Sequence, residues 1–334
     1  MKKRELWLDY LRAFACILVT LGHLLMSFQS SGIRDTMLMS YAIDTFYHFH
    51  VYIFFFCSGY LLQKSFERSG AGKSFAGNRL LRCLEFLIVY IIFTGVTFAI
   101  KVVLSGDVNS PVEHTYGQTL LKYPINQMWY MYAIAIITLC TPMLSLRNAQ
   151  AVLAVAVALK ALMCIPAVGS VIPVPFNYLA DNQIWYVLGS LWAFKKFVLK
   201  KKYAIALTLV FFIVNTVVFI GNVDNVVCNE FLTFAGIAAS AGMFYMWMPG
   251  KEKMSLPWKL MSKHLLPIYL LHTVCAAGIR IVLLRLGVQN FGIHLLMGLV
   301  FSFVVPIVCG EIACRTKILN IFFYPVKTIR EMKK

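Results

Sequence analysis

Two residues in one apolar stretch, Arg12 and His23 in LWLDYLRAFACILVTLGHLLMSF, have types and a spacing that point to chemistry. An ionisable side chain inside a membrane span is costly, so a functional role is its default reading. Eleven residues at about 100° each come within about 20° of three full turns, which places both side chains on one helix face. The same spacing separates them by roughly 16 Å along the axis, about half of a bilayer core. Imidazole titrates near neutrality and is the natural general base for a hydroxyl. Asp9, one turn before Arg12, can pair with it. The plainer alternative is that Arg12 snorkels to the surface while His23 bonds a neighbouring helix.

A second constellation is Arg79 and Arg82 in NRLLRCLEF, with Glu85 one step further on. Arginines at i,i+3 share a face and present forked donors suited to phosphate, and Glu85 is placed to orient Arg82. Gly70, Gly72 and Lys73 supply a flexible basic loop just before them. Anchoring at the membrane surface is the competing explanation for any such arginine. In FYHFHVYIFFFCSGYLL, His48 and His50 fall on different helix faces without further ligands nearby. Metal binding is therefore a poor match; contact with an acceptor outside the membrane, through His48 above all, suits them better, and a plain interfacial role better still. Trp129 and Tyr130 open a later span, where they serve an aromatic belt or stack on a sugar ring. Lys160, Trp185, Glu230, His272 and Arg280 are weaker candidates in or near spans. The nine cysteines form no CxxC or Cys/His ligand spacing, so neither a metal nor a disulfide framework is expected.

These residues need elements to hold them, and the composition says which kind. The 334-residue chain is 60% hydrophobic and 13% charged, against about 25% charged in soluble domains, which predicts an all-α polytopic membrane protein. Hydropathy marks about ten spans, near 7–28, 45–63, 83–104, 128–146, 150–168, 183–199, 203–221, 227–248, 265–286 and 291–313. With the N-terminus in the cytoplasm, most basic residues fall on the inner side: Lys2, Lys3, Arg4, Lys64, Arg68, Lys73, Arg79, Arg82, Arg147, the run from Lys195 to Lys202, Lys251, Lys253, Lys259 and Lys263. The net charge of +17 then reads as positive-inside topology with both termini cytoplasmic, plus contact with anionic lipid, and not as a nucleic-acid footprint. Residues 1–334 read as a single membrane domain. The basic tail 314–334 is expected to lie on the inner leaflet. Oligomeric state leaves no trace in the pattern.

WLDYLRAFACILVTLGH resembles the opening motif of the membrane acyltransferase-3 family, integral-membrane O-acyltransferases of bacterial surface glycans. The resemblance continues through FFFCSGYLL, RLLR, QMWYMYAIAIITLCTP and IYLLH, in order along nearly the whole chain. It implies ten helices in a bacterial cytoplasmic membrane. It also implies transfer of an acyl group, usually acetyl from acetyl-CoA, to a hydroxyl of an extracytoplasmic glycan or lipid-linked sugar. Carried over by motif, His23 matches the family's catalytic histidine and Arg12 its partnered arginine. Arg79 and Arg82 match the pair linked with coenzyme A. Trp129, Tyr130 and His48 are left for the acceptor. The competing class is a transporter or flippase for a glycan or lipid-linked intermediate, although the chain shows no inverted repeat.

Overall fold

A computed structural model describes residues 5–70, 72–125, 127–247 and 254–333. Lys2, Lys3, Arg4, Lys251 and Lys253, used above to orient the chain, lie outside the described residues. Every regular element among the described residues is a helix: Leu6–Ser30 (α1), Met37–Phe49 (α2), Tyr52–Ser69 (α3), Lys73–Val103 (α4), Tyr116–Leu121 (α5), Met128–Cys140 (α6), Ala149–Met163 (α7), Pro166–Val171 (α8), Val174–Lys195 (α9), Lys201–Ile220 (α10), Val226–Trp247 (α11), Leu256–Lys263 (α12), Leu265–Arg285 (α13), Phe291–Arg315 (α14), Lys317–Phe323 (α15) and Pro325–Met332 (α16).

Six of these, α1, α4, α10, α11, α13 and α14, are long and apolar enough to cross a membrane. The remaining expected spans take other forms. The stretch near 45–63 is interrupted at His50–Val51, between α2 and α3. There the His50 ring Nδ1 shares the Phe46 carbonyl with the His50 backbone N–H, at the end of α2. The helix also begins earlier than expected, because the Thr36 hydroxyl caps α2 by accepting the Met39 N–H at 3.3 Å. At 13 and 15 residues, α6 and α7 extend only about 20–22 Å, short of a bilayer core about 30 Å thick.

The chain folds into two compact units that interleave in sequence: 1–53, 104–111 and 199–315 in the first, and 54–103, 112–198 and 316–334 in the second. In the first unit α1 is the central element. Leu8, Leu11, Ala13, Ala15, Cys16 and Val19 are buried along it, and it packs on α2, α11, α13 and α14. Trp7 meets Tyr245 edge-on at 5.4 Å, and Tyr10 lies 5.0 Å from Trp258. The helix ends at Gly32, whose positive φ of 69° allows the Ile33 N–H to reach back to Phe28 and the Gly32 N–H to Gln29.

In the second unit, α4 packs on α6, and α9 on both α6 and α7. Two glycines set the approach of α3 to α9: a Cβ on Gly59 would collide with the Tyr186 carbonyl, and one on Gly189 with the Phe56 carbonyl. Small residues at a crossing let backbones meet closely, which is how helices associate where burial from water drives little. Lys160 on α7 reaches Asp181 on α9 at 2.7 Å, so this lysine in an apolar helix is matched by an acid on the adjacent one.

Candidate functional site

His23 lies on the continuous helix α1, so the face shared with Arg12 is realised by an unbroken backbone. Around it the first unit gathers side chains from two further helices. The Tyr47 hydroxyl on α2 is 3.1 Å from His23 Nδ1. His50 stacks edge-on against Tyr47 with ring centres 4.8 Å apart, and the His272 ring on α13 is 5.4 Å from that of His23. Tyr47 can come this close because residue 22 is glycine: a Cβ there would stand 3.0 Å from the tyrosine ring.

The hydrogen bonds decide one tautomer. His272 Nδ1 lies 3.0 Å from the Ile268 carbonyl and 2.9 Å from that of Tyr269, and a carbonyl only accepts. Nδ1 therefore carries the proton, and Nε2 is left as a bare acceptor in the neutral ring. That Nε2 is buried with no hydrogen-bond partner among the described residues. One turn above His23 on the same helix, the Ser27 hydroxyl accepts from Arg280 Nη1 at 2.5 Å, with Arg280 97% buried. His23 and Ser27 on α1 thus face His272 and Arg280 on α13, each pair at helical spacing. At the other end of α1, Arg12 Nη1 stands 4.0 Å from Asp9 Oδ1, the pairing their spacing anticipated.

The other sequence-derived candidates are distributed differently. His48 is outside the His23 cluster. Its Nε2 faces Asp44 at 3.4 Å, and its carbonyl accepts the Thr233 hydroxyl. In the second unit, Tyr130 is buried against Phe54 and Phe55, whereas Trp129 is half-buried between Phe55 and Tyr178.

Arg79 and Arg82 share the start of α4 but differ in what else they reach. Arg79 donates from Nε to the Thr138 carbonyl at 2.7 Å, and from Nη2 to those of Leu139 at 3.0 Å and Thr141 at 2.5 Å. These are carbonyls at the end of α6, where the helix dipole is negative and the backbone lacks partners. Gln183 reaches the Thr141 hydroxyl at 3.1 Å, and Gln63 pairs with both the N–H and the carbonyl of Leu144. Arg82 instead lines a cavity of about 390 Å³ together with Asn78, Leu81, Glu85, Val326, Lys327 and Arg330. Glu85 accepts the Lys327 N–H at 3.1 Å and so serves as the cap of α16, a role its spacing from Arg82 did not indicate.

Sequence reasoning passed over Tyr47, Lys327 and Arg330. The signal for Tyr47 is its place in FYHFH beside a Gly22–His23 step; for Lys327 and Arg330 it is their i,i+3 spacing in PVKTIREM. Among the described residues, no group of three or more His, Cys, Asp or Glu side chains is arranged to hold a metal ion. An acyltransferase-domain family model matches residues 5–311 of the chain. No curated protein and no solved structure matches it.

Proposed function

The chain belongs to the acyltransferase-3 family, and from that premise we propose that it transfers an acyl group, acetyl by the habit of the family, from cytoplasmic acyl-CoA to a hydroxyl of an extracytoplasmic glycan or lipid-linked sugar. The observation that carries this reading is the His23 imidazole, held by Tyr47 in the second half of a helix that also presents Arg12. In the competent tautomer, His23 Nδ1–H donates to the Tyr47 oxygen, and Nε2 keeps its lone pair for the acceptor. As Nε2 takes the hydroxyl proton, the acceptor oxygen attacks the thioester carbonyl. The C–S bond then breaks, and the departing thiolate recovers the proton from His23. General-base assistance of this kind contributes roughly 10²–10⁴-fold in rate.

His272, with its fixed tautomer and its ring 5.4 Å from that of His23, supports the imidazole that becomes charged during the reaction. Arg280 and Ser27 lie one turn further along and suit the polar acceptor. Arg12, with Asp9, serves the donor end of α1. In the second unit Arg82 is the phosphate contact, and Arg79 sets the end of α6 beneath it. Trp129 in the second unit and His48 in the first are each taken as a candidate for sugar contact. The protein acts as a multi-pass protein of a bacterial cytoplasmic membrane, its six long helices and the shorter or broken ones together making about ten crossings with both termini inside.

Mass spectrometry of surface glycans from cells deleted for the protein, and complemented with wild type or His23→Ala, tests this function. Loss of an acyl increment in the deletion, restored by wild type and not by the variant, is expected. Unaltered acylation in the deletion would refute it, and loss of the whole glycan would favour a transporter.

A further inference from the structure

The tail beyond residue 315 lies outside the family-matched region, yet it folds back on α4. Phe323 stacks on Phe93 at 5.5 Å and is buried. Pro325 begins α16, where proline costs no hydrogen bond. Glu85 caps its first turn through the Lys327 N–H, Asn320 reaches the buried Thr328 hydroxyl at 2.8 Å, and Arg330 Nη1 meets the Asn78 side chain at 3.4 Å. Three contacts of separate kinds thus hold a short amphipathic segment against α4, and the Asn320–Thr328 bond braces it from within. Ile329 and Met332 are left exposed, as a segment beside lipid requires.

The docked tail walls the cavity at Arg82. Lys327 and Arg330, one turn apart on α16, face the same space as Arg82 on α4. Glu85, the acid nearest Arg82 in sequence, already accepts from the α16 backbone. Three cations against Glu85 and Glu331 leave a net positive lining. At about 390 Å³, the volume falls within the roughly 300–1,000 Å³ of small-molecule sites. The first residues of α4 have room to stand clear of the hydrocarbon, because 31 residues extend about 46 Å against a core of about 30 Å.

We infer that α16 completes a phosphate-binding site with Arg82, and that Lys327 and Arg330 hold the phosphorylated nucleotide end of acyl-CoA. This rests on the acyl-CoA reading above and adds to it a binding element that the family-matched region lacks. A bidentate arginine and two neighbouring cations suit the dense charge of a ribose 3′-phosphate beside a pyrophosphate. The same cations would also attract a lipid phosphate, so the test must separate the two.

The full chain in lipid nanodiscs is titrated calorimetrically with coenzyme A and with dephospho-coenzyme A, which lacks the 3′-phosphate. Wild type is expected to prefer coenzyme A. The double variant Lys327→Gln, Arg330→Gln should bind coenzyme A at least tenfold more weakly and lose the preference. The charge-preserving swap Lys327→Arg, Arg330→Lys should restore most of both. Unchanged affinity and preference in the Gln variant overturn the inference while leaving acyl-CoA use intact. A swap as weak as the Gln variant also overturns it, because the tail would then act through folding alone. If the Gln variant keeps its coenzyme A affinity but loses thermal stabilisation by phosphatidylglycerol over phosphatidylcholine, the cavity takes a lipid headgroup and the inference falls. Failure of wild type to bind coenzyme A at all would instead strike the acyl-CoA reading itself.

Discussion

At the scale of single residues, the arginine pair shows how one motif divides its labour. Arg79 and Arg82 share a helix face, but Arg79 is engaged by three carbonyls at the end of α6, whereas Arg82 faces a cavity. Charged hydrogen bonds of this kind are each worth about 1.5–3 kcal/mol. Arg79→Ala should therefore lower the apparent melting temperature in detergent by roughly 5 °C or more. Arg82→Ala should weaken coenzyme A binding by about tenfold or more, a larger loss than Arg79→Ala causes. Equal effects of the two variants on both measurements would refute the division. Spacing alone could not have shown it, because Arg79 is sorted from Arg82 by the position of α6, about sixty residues further along the chain. Arg12 with Asp9 and the placement of His23 were legible, since one unbroken helix decides them.

At the scale of elements, hydropathy located the long helices well and the irregular ones poorly. A window of apolar residues reports burial, not continuity, so the break at His50–Val51 and the shortness of α6 were hidden in it. The break falls within one apolar stretch and so has no hydropathic signature. The α3–α9 crossing is a second example. The reciprocal pairing of Gly59 with Gly189 is visible only once the helices are crossed. Gly189→Ala should lower the melting temperature by several degrees, because the methyl group meets the rigid Phe56 backbone. Gly278→Ala, on α13 with no atom near the added carbon, should leave it unchanged or raise it, as alanine favours helix. Equal melting temperatures for the two variants would contradict the packing argument. The tail belongs to this scale as well: its amphipathic character was readable, but its attachment to α4 through Phe323, Glu85 and Asn78 was not.

At the scale of the molecule, the two interleaved units were not legible, because the grouping of helices is decided by contacts far apart in sequence. What was legible is the class of protein and its family, carried by ordered motifs along the chain. Within the first unit, three histidines, a tyrosine and a buried arginine converge from helices that no local pattern connects. That convergence turns one intramembrane histidine into a candidate base. Transfer of radiolabelled acetyl from acetyl-CoA to the surface-glycan acceptor, in vesicles reconstituted with wild type or His23→Ala, measures this most directly. The account predicts a rate lower by about 10²–10⁴-fold in the variant, with coenzyme A binding preserved; transfer by His23→Ala at the wild-type rate would contradict it.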